Sequence, residues 1–132
     1  MREEWLRDPK HVGFVLARYK HVSKWLAGMN CVLEVGAGDG WASEIVLREV
    51  GLLTLTDKDP RSPDVRAHDI LAGPVNGEFD SAYCLDVLEH IEPQLTWTFL
   101  ENMADSIRKK GLCIVGMPSV ESLPYASEPA RL

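Results

Sequence analysis

The stretch Val32-Leu33-Glu34-Val35-Gly36-Ala37-Gly38-Asp39-Gly40-Trp41 decides the fold of this chain. An apolar run from Cys31 to Val35 ends in glycines at three alternate positions, and a helical pattern begins at once. This predicts a buried strand, a tight turn and a helix N-terminus, the layout that holds an adenosine-containing cofactor. Glycine serves such a turn in two ways. It takes backbone angles that a side chain forbids, and it leaves no Cβ between backbone and ligand.

Before this stretch, Val12, Val15, Leu16, Tyr19, Val22 and Leu26 recur at three- and four-residue steps. They predict a helix over 10–27, capped by Gly28, with Arg18, Lys20, His21 and Lys24 on its other faces. After it, a helix over 41–50 turns Ala42, Ile45, Val46 and Val50 inward and stops at Gly51. A second strand, Leu52 to Thr56, ends at Asp57. Asp57 follows Gly36 at close to the ~20-residue offset at which an acid meets ribose hydroxyls. A carboxylate accepts from both vicinal hydroxyls, and Asp59 is the alternative. The link 59–64 is short and holds Pro60 and Pro63. Parallel strands normally need about a dozen connecting residues, so this crossover is extended or a single turn.

A third strand is expected over 65–68, a loop over 71–77 and a fourth strand over 79–85. Pro93 suits the first turn of a helix whose stripe is Leu95, Phe99, Met103 and Ile107, broadened by Trp97 and Leu100. Lys109, Lys110 and Gly111 close it. A fifth strand, 112–117, stops at Pro118. The tail 119–132 has no periodicity and reads as irregular.

A length of 132 residues suits one domain with a modest core. A net charge of −6 does not favour nucleic acid as a partner, since phosphate contacts need clustered Lys and Arg. No apolar run approaches the ~20 residues of a membrane span, and the N-terminus begins no signal peptide. Cys31, Cys84 and Cys113 lie singly in apolar runs and show no zinc spacing. They read as reduced core residues of a cytoplasmic protein.

The loop resembles that of class I S-adenosylmethionine-dependent methyltransferases, an acidic residue followed by G-x-G-x-G. Here these are Glu34, Gly36, Gly38 and Gly40. The dehydrogenase pattern G-x-G-x-x-G would place glycine at 41, where Trp41 stands. Thr56-Asp57-Lys58-Asp59-Pro60 is similar to the family's second-strand end. Asp69 matches its adenine-facing acid. Asp86-Val87-Leu88-Glu89-His90-Ile91 resembles the run after strand four in a group that includes the ubiquinone-pathway O-methyltransferases.

The resemblance implies an α/β fold, a Rossmann-like, doubly wound, mostly parallel sheet. It is pared down to about five strands with an N-terminal helix, so 1–132 forms one domain lacking the family's last two strands. It implies S-adenosyl-L-methionine as cofactor, held by Glu34, Gly36, Ala37, Gly38, Gly40, Asp57, Lys58, Asp69, Ile70 and Leu85. Arg18, from a helix closing over the cofactor, would clamp the methionine carboxylate. His90 is the candidate general base, and Trp41, Leu85, Asp86 and Glu89 lie near the acceptor.

The implied activity is methyl transfer to a hydroxyl or carboxyl of a small molecule or a glycan. Motifs for methylation of nucleobases are absent after strand four. The alternative is a cofactor-binding module without turnover. Asp86, Glu89 and His90 are also similar to a divalent-metal set of some relatives, but no metal is assigned. The first acid is one methylene short, and no histidine follows His90. The uncovered edge of strand five predicts a homo-oligomer through that side, or a piece of a longer protein.

Overall fold

The structure is a computed structural model and describes residues 2–118. The irregular tail expected over 119–132 lies outside the described residues. The elements in chain order are α1 (Arg2–Arg7), α2 (Pro9–Leu26), β1 (Cys31–Val35), α3 (Glu44–Leu47), β2 (Leu52–Asp57), β3 (Arg66–Ala67), β4 (Phe79–Leu85), α4 (Thr96–Asp105) and β5 (Ile107–Gly116). The five strands form one parallel sheet in the order β3-β2-β1-β4-β5. Strand order reverses between β1 and β4, so a crevice opens beyond their C-terminal ends, the usual ligand position in such sheets.

The sheet is wound on both faces. Side chains alternate along a strand, and β1 serves both sides. Val32 faces α2 and α3 with Tyr19, Val22, Leu26, Val46 and Tyr83. Leu33 and Val35 face the other layer with Ile70, Phe79, Cys84, Phe99 and Met103. A fully buried Val or Leu side chain contributes about 1.5–3 kcal/mol. This explains why β1, with four residues buried in succession, sits at the centre. Asp8 caps α2 by accepting from the His11 N–H, and Pro9 follows at the first helical position. Helix α1 has no counterpart in the sequence reading.

Several expectations are corrected. The helix over 41–50 shrinks to Glu44–Leu47 between turns, because the Ser43 hydroxyl bonds Glu34 in the core instead of capping the helix. The helix after Pro93 opens as a 3-10 turn and ends at Asp105. Ser106 stops it, its hydroxyl donating to the Asn102 carbonyl and accepting from the Val75 N–H. Ile107 therefore opens β5 opposite Phe79, and an irregularity with Lys110 at φ 66° precedes Leu112. Trp97 and Cys113 are exposed, not core, while Cys84 is sealed. The short β2–β3 crossover is as expected, with no helix in it.

Candidate functional site

Gly36, Gly38 and Gly40 all have positive φ, at 82°, 63° and 77°. At Gly36 the demand is also steric, since a Cβ would lie 2.4 Å from Cγ2 of Val87. The N–H groups of Gly36 and Ala37 both donate to the Thr56 carbonyl at 2.9 Å, which bolts the loop to the end of β2. The Gly38 N–H donates to Asp57 Oδ2 and the Asp59 N–H to Asp57 Oδ1, each at 2.8 Å. Thus one carboxylate orders the glycine turn and its own strand end.

A cleft of about 590 Å³ opens over this loop. Gly36, Gly38, Asp57, Lys58, Asp69, Ile70 and His90 line it, as do Asp86 and Val87 after β4. The strand ends thus bring together residues spread from position 36 to 90. Asp69 Oδ1 accepts from the Leu71 N–H at 3.0 Å, which orders the turn after β3. Asp57, not Asp59, is on the cleft wall.

Five residues expected to hold the cofactor do not line the cleft, and neither do Trp41 and Glu89, expected near the acceptor. The Glu34 side chain follows the β alternation to the α2 face, where it is fully buried. Its carboxylate accepts from Tyr19 at 2.5 Å, from Tyr83 at 2.6 Å and from the Ser43 hydroxyl. Burial pushes its pKa above the usual carboxylate value, against the lowering effect of the three hydroxyls. Burial and the charge on Glu34 push both tyrosines up. Glu34 thereby ties α2, β1, β4 and the start of α3 together behind the loop. Leu85 is buried on the same face. Ala37 is buried, and Gly40 packs toward Leu55 and Val65. Trp41 is exposed at a separate shallow groove.

Arg18, the fifth, reaches the cleft through a partner. Its Nε and Nη2 both donate to Asp86 Oδ2, at 3.0 and 2.8 Å. Asp86 is a non-glycine residue at φ 59°. Its Oδ1 is buried without a hydrogen-bond partner among the described residues. His90 is at the rim, largely exposed, with Nε2 3.6 Å from the Glu89 carboxylate. Burial raises the Glu89 pKa, and the charge on Asp86 adds to the rise. Among the described residues no three His, Cys, Asp or Glu side chains gather as a metal-ligating set. Residues 88–90 form a 3-10 turn after a left-handed residue, so the α-helical face that would align 86, 89 and 90 does not form.

Two cleft residues were not expected there, Arg61 in the β2–β3 link and His68 at the end of the expected third strand. The Arg61 N–H donates to the Gly38 carbonyl at 3.2 Å, and its guanidinium lies against Gly38. The His68 Nε2–H donates to the Gly73 carbonyl at 2.9 Å, which occupies that nitrogen. With positive-φ glycines, two strand-end carboxylates and an orphaned buried oxygen in Asp86, the donor set fits an adenosine-linked amino acid.

A family described as a methyltransferase domain matches residues 6–130. No curated protein matches the sequence. Solved structures of under 25% identity share the fold, among them the following three. The N-methyltransferase NodS of Bradyrhizobium japonicum, in complex with S-adenosyl-L-homocysteine, has 23% identity and a TM-score of 0.61, over 82% of this chain and 62% of that one. The sugar N-methyltransferase KedS8 of a Streptoalloteichus species has 15% identity and a TM-score of 0.62, over 81% of this chain and 49% of its own. The magnesium protoporphyrin IX methyltransferase ChlM of Synechocystis, with bound S-adenosylhomocysteine, has 17% identity and a TM-score of 0.61, over 75% and 54%. The chain thus spans less than two thirds of the length of each.

Proposed function

The chain belongs to the methyltransferase-domain family, and from that membership we propose that it is an S-adenosylmethionine-dependent methyltransferase. Its acceptor is a hydroxyl or carboxyl of a small molecule or glycan. The observation that carries this is the cleft itself, where the glycine loop, Asp57 and Asp69 converge at the point of strand reversal. The similarity of the fold to enzymes whose names specify a sugar and a porphyrin as substrates supports a small acceptor.

Asp57 accepts the ribose hydroxyls, with Lys58 beside it, and Asp69 and Ile70 flank the adenine. Gly36 and Gly38 admit the backbone close to the ligand, while Ala37, Gly40 and Leu85 hold the loop from behind. Glu34 acts as a positioning residue for that loop. The bound cofactor supplies an activated sulfonium methyl. The protein's work is then to aim the acceptor and take its proton. His90 is the proposed general base, since its ring lies at the cleft rim while the His68 Nε2 is held by a carbonyl.

S-adenosylhomocysteine retained by the purified protein, read by mass spectrometry, tests the cofactor. Methyl transfer to a panel of hydroxyl- and carboxyl-bearing acceptors tests the activity. Binding without any transfer would return the reading to a cofactor-binding module, and no binding would remove it.

The proposed setting is the cytoplasm, in keeping with free Cys31, Cys84 and Cys113. Among the described residues no helix is long and apolar enough to cross a membrane. The β5 edge, with Leu112 and Val115 exposed, is proposed as the contact for a second copy. Light scattering showing a monomer at high concentration would remove that contact.

A further inference from the structure

We infer that this protein associates head to tail, the outer face of α4 in one copy seating in the groove between α2 and α3 of the next. The contact is separate from the β5 edge, and it does not rest on the methyltransferase reading.

The groove exists because α3, Glu44–Leu47, is a single turn beside the 18-residue α2. It cannot cover the flank of so long a neighbour, and a hollow of about 760 Å³ is left between them. Gly13 and Ala17, both exposed, keep the α2 wall low. Leu16 and Ile45 mark one end, since they also line the shallow groove at Trp41. Beyond them the lining turns basic, with Lys20, Lys24 and Arg48 against one acid, Glu49. None of these residues lines the cleft over the glycine loop. An apolar end continued by cations, on a chain of net charge −6, suits an apolar knob followed by carboxylates.

The opposite side of the molecule carries that pattern. Helix α4 packs inward through Phe99 and Met103. Outward it presents Trp97, Glu101 and Asp105, which steps of four residues keep on one side of the helix. Trp97 is 70% exposed, and both acids are exposed. On α2, Leu16, Lys20 and Lys24 rise by the same steps. Each step is about 6 Å along a helix axis. With the two helices parallel, Trp97 therefore meets Leu16 and Ile45, Glu101 meets Lys20, and Asp105 meets Lys24. Among the described residues none of these four charged groups is in an ion pair, so docking breaks none. Trp97 is the anchor, and the charge pairs fix the register.

The fold also decides the symmetry. Helices α2 and α3 cover one face of the sheet and α4 the other. A copy that offers its α4 still has an open groove, so the contact is heterologous and continues from copy to copy.

Sedimentation velocity over a range of concentrations tests this. The wild-type protein is expected to grow in apparent mass with concentration, and less so at high salt. Lys20→Glu with Lys24→Glu closes the groove, and Glu101→Lys with Asp105→Lys spoils the helix face. Each double variant should associate more weakly than wild type by roughly tenfold or more. An equimolar mixture of the two retains one working groove and one working helix face. It should pair one to one, beyond whatever either variant does alone. A contact through the β5 edge is the same in all these proteins and does not change on mixing.

Trp97→Ala truncates an exposed side chain and should weaken association by a similar factor, so it carries the test if a charge variant does not fold. A wild-type protein that does not grow with concentration would overturn the inference. So would variants that associate like wild type, or a mixture no more associated than its separate components.

Discussion

Replacing Gly36 by alanine should destabilise the protein by about 2–5 kcal/mol, in two separable parts. At φ 82° an L-residue enters the left-handed region, which costs about 1–2 kcal/mol. The new methyl would also lie 2.4 Å from Val87 Cγ2 and 3.4 Å from its Cβ and Cγ1. Val87 is β-branched and stiff at χ1, and it packs against the α4-side core. Relief therefore needs a backbone shift, and overpacking of that kind costs about 1–3 kcal/mol.

A domain of this size is stable by roughly 5–15 kcal/mol, so the variant should still fold and yield a urea transition. Val87→Ala separates the parts. In that background the clash is gone, and Gly36→Ala should cost only the backbone share of about 1–2 kcal/mol. Four urea titrations complete the cycle. A single-variant cost below about 0.5 kcal/mol would refute the conformational argument. An equal cost in both backgrounds would refute the role of Val87.

Asp57→Ala should weaken S-adenosylhomocysteine binding by about 1.5–3 kcal/mol in calorimetry, since it removes a charged acceptor; unchanged affinity would take Asp57 out of the site. Glu34→Gln should flatten the pH dependence of stability. Burial raises the folded pKa of Glu34, so its stabilising contribution is complete below the unfolded value near 4.5 and is lost as pH rises through the folded one. Urea midpoints across that range should show wild type losing ground to the variant with rising pH, and parallel profiles would contradict the burial argument. In thiol labelling of the native protein, Cys113 should react readily and Cys84 only on unfolding, because Cys84 is sealed and its thiol is pushed up to about 12. Equal labelling rates would show that the β4 core is not closed.

Sequence by itself determined the parts of this protein that depend on near neighbours. Strands β1, β2 and β4 are legible because each is a short apolar run with a turn at its end. The glycine loop is legible because alternate glycines meet a backbone need, and Asp57 because an acid at that strand end falls at a fixed offset from the loop, whereas Asp69 is picked out by the family resemblance alone. What only the tertiary structure decided depends on which face meets which partner. Glu34 reads as a ligand residue, yet the two-residue period of β1 turns it to the α2 face, where Tyr19 and Tyr83 seal it. Arg18 and Asp86 are 68 residues apart, and only the packing of α2 across the end of β4 makes them a pair. The stripe after Pro93 continues in period through Ile107, but Ser106 satisfies Asn102 and Val75 and ends the helix first. Arg61 enters the cleft because the β2–β3 crossover is too short to carry it away, and His68 because it follows directly on the C-terminal end of β3. Periodicity records how often a residue faces inward. Which groups it meets there is fixed by contacts between segments distant in the chain.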